Sequence, residues 1–490
     1  MEDYLLSHRV IESHAQLKKR EMVLRLLRLL IPRLTEQIAW ERSVKQDEID
    51  CQILPFGSYG LGAHLADSDM DLVFLGAAHV RRRDFFLYFP DLLRDQATIE
   101  DVEEVANAKV PIIRCTVDSI PVDISFVRLK ISTIPPDINL LDNTLLEGLD
   151  EGCLRSLDGP RIMQFIIQQV RDTDISTFRV AIQAVKHWAR QRDIYDKQMG
   201  YLNGMAWTLL LLKTYMTYQQ QSSGDSLTLM ELLLSFFNMW ANWPWTAPVI
   251  LTDLIPGYSG SRIEYRSLTD FENAVMPIVT PCYPVRNAAP AVTKSTLKVL
   301  SNEMARAHLV LSSQLSRGEM FPKLFKPLNL LTGYKHFIKL VVNADTCSTH
   351  DSWLIKMPFL IPRFTECLES TPQLREIRPY SKVLIMSPLR YNTRQQKLAI
   401  QHCEPLKELP DDKVSKLEPG LLHRSCYLIC LKVVSAGPDE RYTLDLSSQI
   451  TQFRRIIDSQ RGGKKESDLV VNIISGKRKD VAQLLQEHAL

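Results

Sequence analysis

At 490 residues the chain is too long for one hydrophobic core and is expected to divide into two to four domains. Its 45% apolar and 24% charged residues exclude a disordered or fibrous chain, and no apolar run approaches the ~20 residues of a membrane-spanning helix. A formal net charge of +2 excludes capture of a polyanion by the surface as a whole, so nucleic acid would have to meet a local basic patch.

The nine cysteines form no Cys-x-x-Cys and no zinc-spaced cluster, and are expected as reduced core thiols of an intracellular protein, with Cys426 and Cys430 packed in a strand. Met1-Glu2-Asp3 is acidic and unlike a secretory leader. From Glu12 to Trp40, Leu24, Leu27, Ile31, Leu34 and Ile38 recur at helical spacing, and Pro32 should kink or split that helix.

The stretch that carries chemistry follows. Phe56-Gly57-Ser58-Tyr59 reads as a turn in which Gly57 frees the backbone to bring N–H groups toward a phosphate and Ser58 adds a hydroxyl donor. Six residues after Gly62 come Asp69-Met70-Asp71-Leu72-Val73-Phe74. On a strand, Asp69 and Asp71 share one face while Leu72 and Phe74 enter a core. Like charges that close are costly without a cation between them, and hard carboxylate oxygens suit Mg²⁺ or Mn²⁺.

Arg81-Arg82-Arg83 reads as a solvated loop. Val110 to Val117 and Pro121 to Val127 form two strands around a turn at Asp118-Ser119. Asp123 interrupts the second, apolar strand; an acid there needs a partner, which makes it the third carboxylate of the metal site. From Ser176 to Arg192 an apolar stripe of Phe178, Ile182, Val185 and Ala189 lies beside a polar row of Arg179, Gln183, Lys186 and Arg190, a row more often solvated than binding. Trp207 to Leu212 is apolar all round, as a buried helix is, and Trp240, Trp243 and Trp245 are expected to pack under a loop.

The last ~160 residues read as a strand (Tyr334 to Val342), a helix interrupted by Pro358 and Pro362, a strand region (Glu376 to Met386), a strand (Ser425 to Val434), a helix (Leu446 to Ser459) and a strand (Leu469 to Ile474). The order β-α-β-β-α-β is ferredoxin-like, the topology of RNA-recognition modules, although the aromatic RNP motif is absent. Lys464-Lys465 and Lys477-Arg478-Lys479 are candidate phosphate contacts.

Taken together, Phe56-Gly57-Ser58-Tyr59, Asp69-Met70-Asp71 and Asp123-Ile124-Ser125-Phe126 resemble the eukaryotic poly(A) polymerases of the DNA polymerase β-like nucleotidyltransferase superfamily. Ala184-Val185-Lys186-His187-Trp188-Ala189 and Met276-Pro277-Ile278-Val279-Thr280-Pro281-Cys282-Tyr283-Pro284 extend the likeness. The resemblance implies an α/β multidomain enzyme with a palm-like mixed sheet at 40–130, a helical middle domain at 131–327 joined by the N-terminal helix at 1–39, and a ferredoxin-like RNA-binding domain at 328–490.

It further implies transfer of AMP from ATP to an RNA 3′ end, with two Mg²⁺ or Mn²⁺ ions on Asp69, Asp71 and Asp123. Lys186 and Tyr195 would contact the triphosphate together with Phe56, Gly57 and Ser58, Gly204 and Met205 would lie near adenine, and Arg114 would stand where the family carries a lysine near nucleotide and primer. A nuclear monomer working with cleavage and polyadenylation factors and away from membranes is the corresponding setting. Arg190 stands where a lysine is usual, Lys197 where an asparagine is expected near the ribose, and Asn287-Ala288-Ala289-Pro290-Ala291 departs from the family beside the nucleotide pocket. A terminal uridylyltransferase and a silent RNA-binding relative are the alternatives.

Overall fold

The computed structural model describes residues 1–43, 45–106, 108–221, 227–252, 255, 263–403, 417–434, 444–461 and 468–487. Three layers of secondary structure follow one another along the chain.

The first is built on a five-stranded mixed sheet of β1 (Cys51–Pro55), β2 (Met70–Gly76), β3 (Ile99–Val105), β4 (Ile112–Val117) and β5 (Ile120–Arg128), in the order β1-β2-β5-β4-β3. Only β2 and β5 run parallel, joined through α5 (Arg82–Arg94) and the β3-β4 hairpin. The β4-β5 turn turns tightly because Asp118 and Ser119 both take positive φ, at 49° and 67°. Alternation along β2 sends Leu72 and Phe74 to one face and Val73 and Leu75 to the other, and both faces are buried.

Before the sheet come α1 (Glu2–Ser7), α2 (His14–Leu29) and α3 (Ile31–Arg42). The chain does split near Pro32, which falls in the first turn of α3, where a missing N–H has no helical partner to lose. Of this N-terminal segment, Leu5 of α1 enters the core of the middle helices, whereas Val23 and Leu27 of α2 and Leu34 and Ile38 of α3 pack with Phe74, Phe85 and Ile124 on the sheet. Arg81 and Arg83 are solvated as expected, but Arg82 and Arg83 begin α5 and do not lie in a loop. Arg81 caps α5, and Arg82 reaches Asp150 at 2.6 Å, locking the sheet layer to the helix that follows.

Between β1 and β2 lies the single helical turn α4 (Gly57–Gly60), and the second layer comprises the helices α6 (Glu151–Gln169), α7 (Ile175–Gln191), α8 (Gly204–Gln221), α9 (Leu229–Ala241), α10 (Lys294–Leu311), α11 (Arg317–Leu324) and α12 (Leu330–Gly333). Its centre is aromatic: Trp188 of α7 meets Trp207 of α8 edge-on at 5.5 Å and Phe237 of α9 at 4.8 Å. Trp240 is fully buried and packs on Trp243 and Trp245, as expected for tryptophans under a loop.

The third layer contains β6 (His336–Ala344), α13 (Cys347–Glu369), β7 (Leu374–Pro379), β8 (Leu384–Thr393), α14 (Arg394–Gln401), β9 (Leu417–Val433), α15 (Ser447–Ser459), β10 (Leu469–Lys477) and α16 (Arg478–Glu487). Strand order β10-β6-β9-β7 is the ferredoxin-like order, with β8 added along the 17-residue β9. The single strand region foreseen at Glu376 to Met386 is thus two strands, β7 and β8. Helix α13 runs unbroken through Pro358 and Pro362, because the bundle it packs in, including a Phe364–Phe453 stack at 4.4 Å, outweighs the lost backbone hydrogen bonds. The sheet face opposite α13 and α15 is covered too: Phe337, Val341, Cys426 and Leu428 pack against Leu330, Val481 and Leu484 from α12 and α16. Among the described residues, β6 and β9 therefore offer bases no open face to stack on. Lys477, Arg478 and Lys479 are exposed, while Lys464-Lys465 lies outside the described residues.

The second and third layers are bolted together by buried charge. Glu303 of α10 accepts from Arg192 at 2.9 Å, Arg306 at 3.0 Å and Arg378 of β7 at 3.0 Å. Burial alone would push this carboxyl up, yet the guanidinium groups, chiefly Arg192 and Arg378, hold it down at about 2. Its folded value lies below its unfolded one, so the stabilisation is complete above ~4.5 and is lost as pH falls toward 2. Glu303→Gln is accordingly expected to lose about 3 kcal/mol at neutral pH and to flatten the acid limb between those values in pH-dependent denaturant melts.

Candidate active site

Backbone pairing lays the polar side chains in a row across the sheet. Asp71 pairs with Asp123 across the parallel β2-β5 ladder, and Asp123 pairs with Arg114 across β5-β4. Phe56 N–H donates to the Asp71 carbonyl at 3.0 Å, so the turn after β1 is stitched beside the same position. Asp69 sits one residue before β2 rather than within it.

Gly57 is there for a steric reason. Its φ is +62°, and a Cβ would stand 2.5 Å from Asp71 Oδ2. The turn is therefore pressed onto the carboxylate, with Ser58 and Tyr59 in the single helical turn α4.

The loop that leads to Asp69 is held from two sides. The polar row of α7, of a kind more often solvated than binding, grips this loop: Arg179 donates to Leu61 O at 2.7 Å, Gln183 to His64 O at 3.0 Å and Lys186 Nζ to Ala63 O at 3.1 Å, while Arg190 pairs with Asp67 at 2.6 Å. Helical spacing could not show this, since what covers the row comes from more than a hundred residues away. From the other side Arg20 of α2, fully buried, donates to Ser68 O at 2.7 Å and pairs with Glu12 at 2.9 Å, and His64 joins the same Glu12 at 3.1 Å. Sequence reasoning passed over Glu12 and Arg20, which read as ordinary surface charges of an amphipathic helix.

Electrostatics concentrate on the acids. Burial, then the charges of Asp69 and Asp123, push Asp71 up to about 7, and burial followed by Asp123 raises Asp69. Burial, then Arg190, lowers Lys186 to about 8 against the pull of Asp71 and Asp69. Hard oxygen donors in mutual repulsion are the donor set a divalent cation satisfies, and in that sense the residues fit one. No three His, Cys, Asp or Glu side chains among the described residues stand ready-made around one point. Asp123 instead accepts two N–H bonds from Arg114, at 3.0 and 3.4 Å. A guanidinium thus serves as the countercharge that a cation would replace.

A cleft of about 590 Å³ opens beside these groups. Phe56, Gly57, Ser58, Asp69, Asp71, Lys186, Tyr195, Gly204 and Met205 all line it; Asp123 and Arg114 do not. A Cβ on Gly204 would meet the Tyr195 hydroxyl at 2.6 Å, which explains the glycine at the start of α8. Arg190 lies 5.2 Å over the Tyr195 ring. Residues unforeseen from sequence complete the wall: Ile162, Met163 and Ile166 of α6 form an apolar side, and Gly159 lets the Phe56 ring approach to 2.6 Å of where its Cβ would be. Asn287 to Ala291, expected beside this pocket, do not line it. Asn287 Oδ1 accepts from Ile278 N at 3.1 Å and Ala289 N at 3.0 Å, an internal brace of the loop.

Comparison with known proteins agrees with this arrangement. The family model of the poly(A) polymerase nucleotidyltransferase domain matches residues 1–170, and that of the poly(A) polymerase central domain matches residues 177–327. The chain is 30% identical over 391 residues to a poly(A) polymerase of Dictyostelium discoideum, covering 78% of this chain and 47% of that protein. It is 30% identical over 347 residues to poly(A) polymerase PAPalpha of Candida albicans, covering 70% of this chain and 61% of that protein. The chain thus spans about half to three fifths of the length of these relatives. A solved structure of a cytoplasmic RNA terminal U-transferase aligns at 18% identity over 66% of this chain and 97% of that one, with a TM-score of 0.45. With its sheet layer matched by one model and its helical layer by the other, the chain belongs to the poly(A) polymerase family.

Proposed function

We propose that the chain is a template-independent polynucleotide adenylyltransferase that adds AMP from ATP to RNA 3′ ends. The observation that carries this reading is the convergence of Asp69, Asp71, Ser58 and Lys186 on one cleft, with Asp123 paired beside Asp71, in a chain of this family.

In this reading Asp69, Asp71 and Asp123 would hold a pair of divalent ions, Mg²⁺ or Mn²⁺, and the chemistry such ions would supply is a lowered pKa for the RNA 3′-hydroxyl and countercharge for the pyrophosphate. The protein's own groups do the rest. The Gly57-Ser58 turn offers backbone N–H groups and a hydroxyl to phosphate oxygens. Lys186, protonated below about 8, supplies a fixed positive charge in a site where burial strengthens it. Tyr195 adds a hydroxyl donor, steadied by Arg190 on its ring. Ile162, Met163, Ile166 and Met205 offer the flat face of a base an apolar wall, and Gly204 keeps the approach open. Arg114, paired with Asp123 here, would have its guanidinium available for a phosphate of nucleotide or primer were Asp123 to hold a cation.

A near-neutral chain whose third-layer sheet is covered on both faces binds bare RNA weakly, so a recruiting partner such as a cleavage and polyadenylation factor, and with it a nuclear setting, belongs to the reading. The test is extension of a labelled oligoadenylate primer with each of the four nucleoside triphosphates, in Mg²⁺ or Mn²⁺. ATP is expected to be incorporated well ahead of the others. Preferential incorporation of UTP, or none of any nucleotide with either metal, overturns the assignment.

A further inference from the structure

A second cavity, of about 210 Å³, opens between α10, the end of α7 and strand β7, where the second and third layers meet. Four cationic side chains line it, those of Arg192, Arg306, Arg378 and Lys432, against two carboxylates, Glu303 and Glu376. Glu303 is saturated, since three guanidinium groups share its two oxygens. Glu376 is engaged by Lys432 at 2.9 Å and by the Tyr334 hydroxyl.

The cations outnumber the acids in a partly closed space. Arg378 is almost wholly buried, at 3% exposure, and its Nε has no hydrogen-bond partner. Asp193, the other acid that feels Arg378, lies outside the lining and shares its charge with Lys382, so it offsets the excess of cations only in part. Excess charge of one sign away from water is expensive unless an ion of the other sign accompanies it. Guanidinium N–H groups arranged as a fork match the geometry of a phosphate oxyanion better than that of a halide. The volume equals that of about seven waters at ~30 Å³ each, enough for a phosphate group and its hydration.

We propose that this cavity is a phosphate-binding site, separate from the triphosphate cleft, with Arg378 and Lys432 as its principal ligands. It takes either a backbone phosphate of RNA or a free phosphate ion. The site stands independently of the adenylyltransferase reading, since no catalytic side chain lines it.

The experiment uses the whole chain in EDTA, so that metal-dependent triphosphate binding is silent. Thermal unfolding is followed with inorganic phosphate and, at matched ionic strength, with chloride. Phosphate at tens of millimolar is expected to raise Tm by about 3 °C beyond chloride. Lys432→Met, at a partly exposed side chain and so compatible with folding, is expected to lose most of that shift. Lys186→Met, in the triphosphate cleft, is expected to keep it. No shift beyond chloride overturns the proposal, as does a shift in Lys432→Met as large as the parent's or its loss in Lys186→Met.

A fluorescent oligoadenylate in the same buffer separates the two sources. Weaker binding in Lys432→Met with displacement by phosphate assigns the site to RNA, and unchanged oligoadenylate binding assigns it to the free ion.

Discussion

Asp71→Asn is expected to abolish AMP incorporation while making the metal-free protein more stable. Activity falls because one of three oxygen donors to the ions is replaced by a neutral amide; a loss on the order of 10³-fold or more is anticipated in primer extension. Stability rises for the opposite reason. The Asp71 carboxyl titrates at about 7 in the fold against 3.8 in the open chain, chiefly because it is buried and then because Asp69 and Asp123 repel it. A raised acid pKa means that the folded state keeps its proton longer, so stability declines as pH climbs from about 4 to about 7 and the whole penalty is present above that. Roughly 3 to 4 kcal/mol is at stake at pH 8. In EDTA at pH 8 the variant should therefore melt several degrees above the parent, and the two should converge near pH 4. Mg²⁺ or Mn²⁺ should raise the parent's Tm and leave the variant's nearly unmoved. A variant that melts lower than the parent at pH 8 would mean that the acids are paired structural groups and not a cluster awaiting a cation.

Gly57→Ala is expected to be nearly as damaging, although it removes no functional group. Two separate costs fall on one methyl: φ at this position is +62°, which L-residues adopt reluctantly, and the new Cβ would stand 2.5 Å from Asp71 Oδ2. Relief requires the turn to lift from β2 or Asp71 to swing away. Either motion separates the phosphate-binding turn from the carboxylates. A misplacement of about an ångström costs on the order of 10²-fold in catalysis, and the loss should fall on kcat more than on KM for ATP. Gly60→Ala gives the comparison, because its Cβ would press on Met163 Sδ and the Pro55 backbone without touching the acids. Equal kinetic losses in the two variants would show that distortion of the turn, not its contact with Asp71, is what matters.

Much of the site could be read without coordinates. The acid beside Leu72 in β2 and the acid interrupting an apolar strand at Asp123 follow from strand geometry, because the period of two sets the face of Asp71 and of Asp123; Asp69, one residue before β2, is placed by the loop that leads to it. Ser58 and Gly57 were legible for a similar reason, since a glycine next to a hydroxyl before a strand has few other uses. The polar row of α7 was legible as a row, but its environment was not. Its amphipathic period reports that two faces differ, and says nothing of whether loop 61–69 or water covers the second. The same limit hid Arg20, whose burial depends on a carbonyl at Ser68 that lies 48 residues away.

Local sequence thus determined which strands exist, which of their residues are acidic on a common face, and the family to which the chain belongs, because these rest on short-range periodicity and on motif spacing. Tertiary structure alone decided that Arg114 holds Asp123, that α2 and α7 clamp the loop to Asp69, that α12 and α16 close the third sheet, and that three arginines converge on Glu303. Each of these is a meeting of charge or apolar surface between segments far apart in the chain. Whether burial, a counter-ion or water awaits a side chain is a property of its neighbours in space, and those neighbours are chosen only when the layers pack.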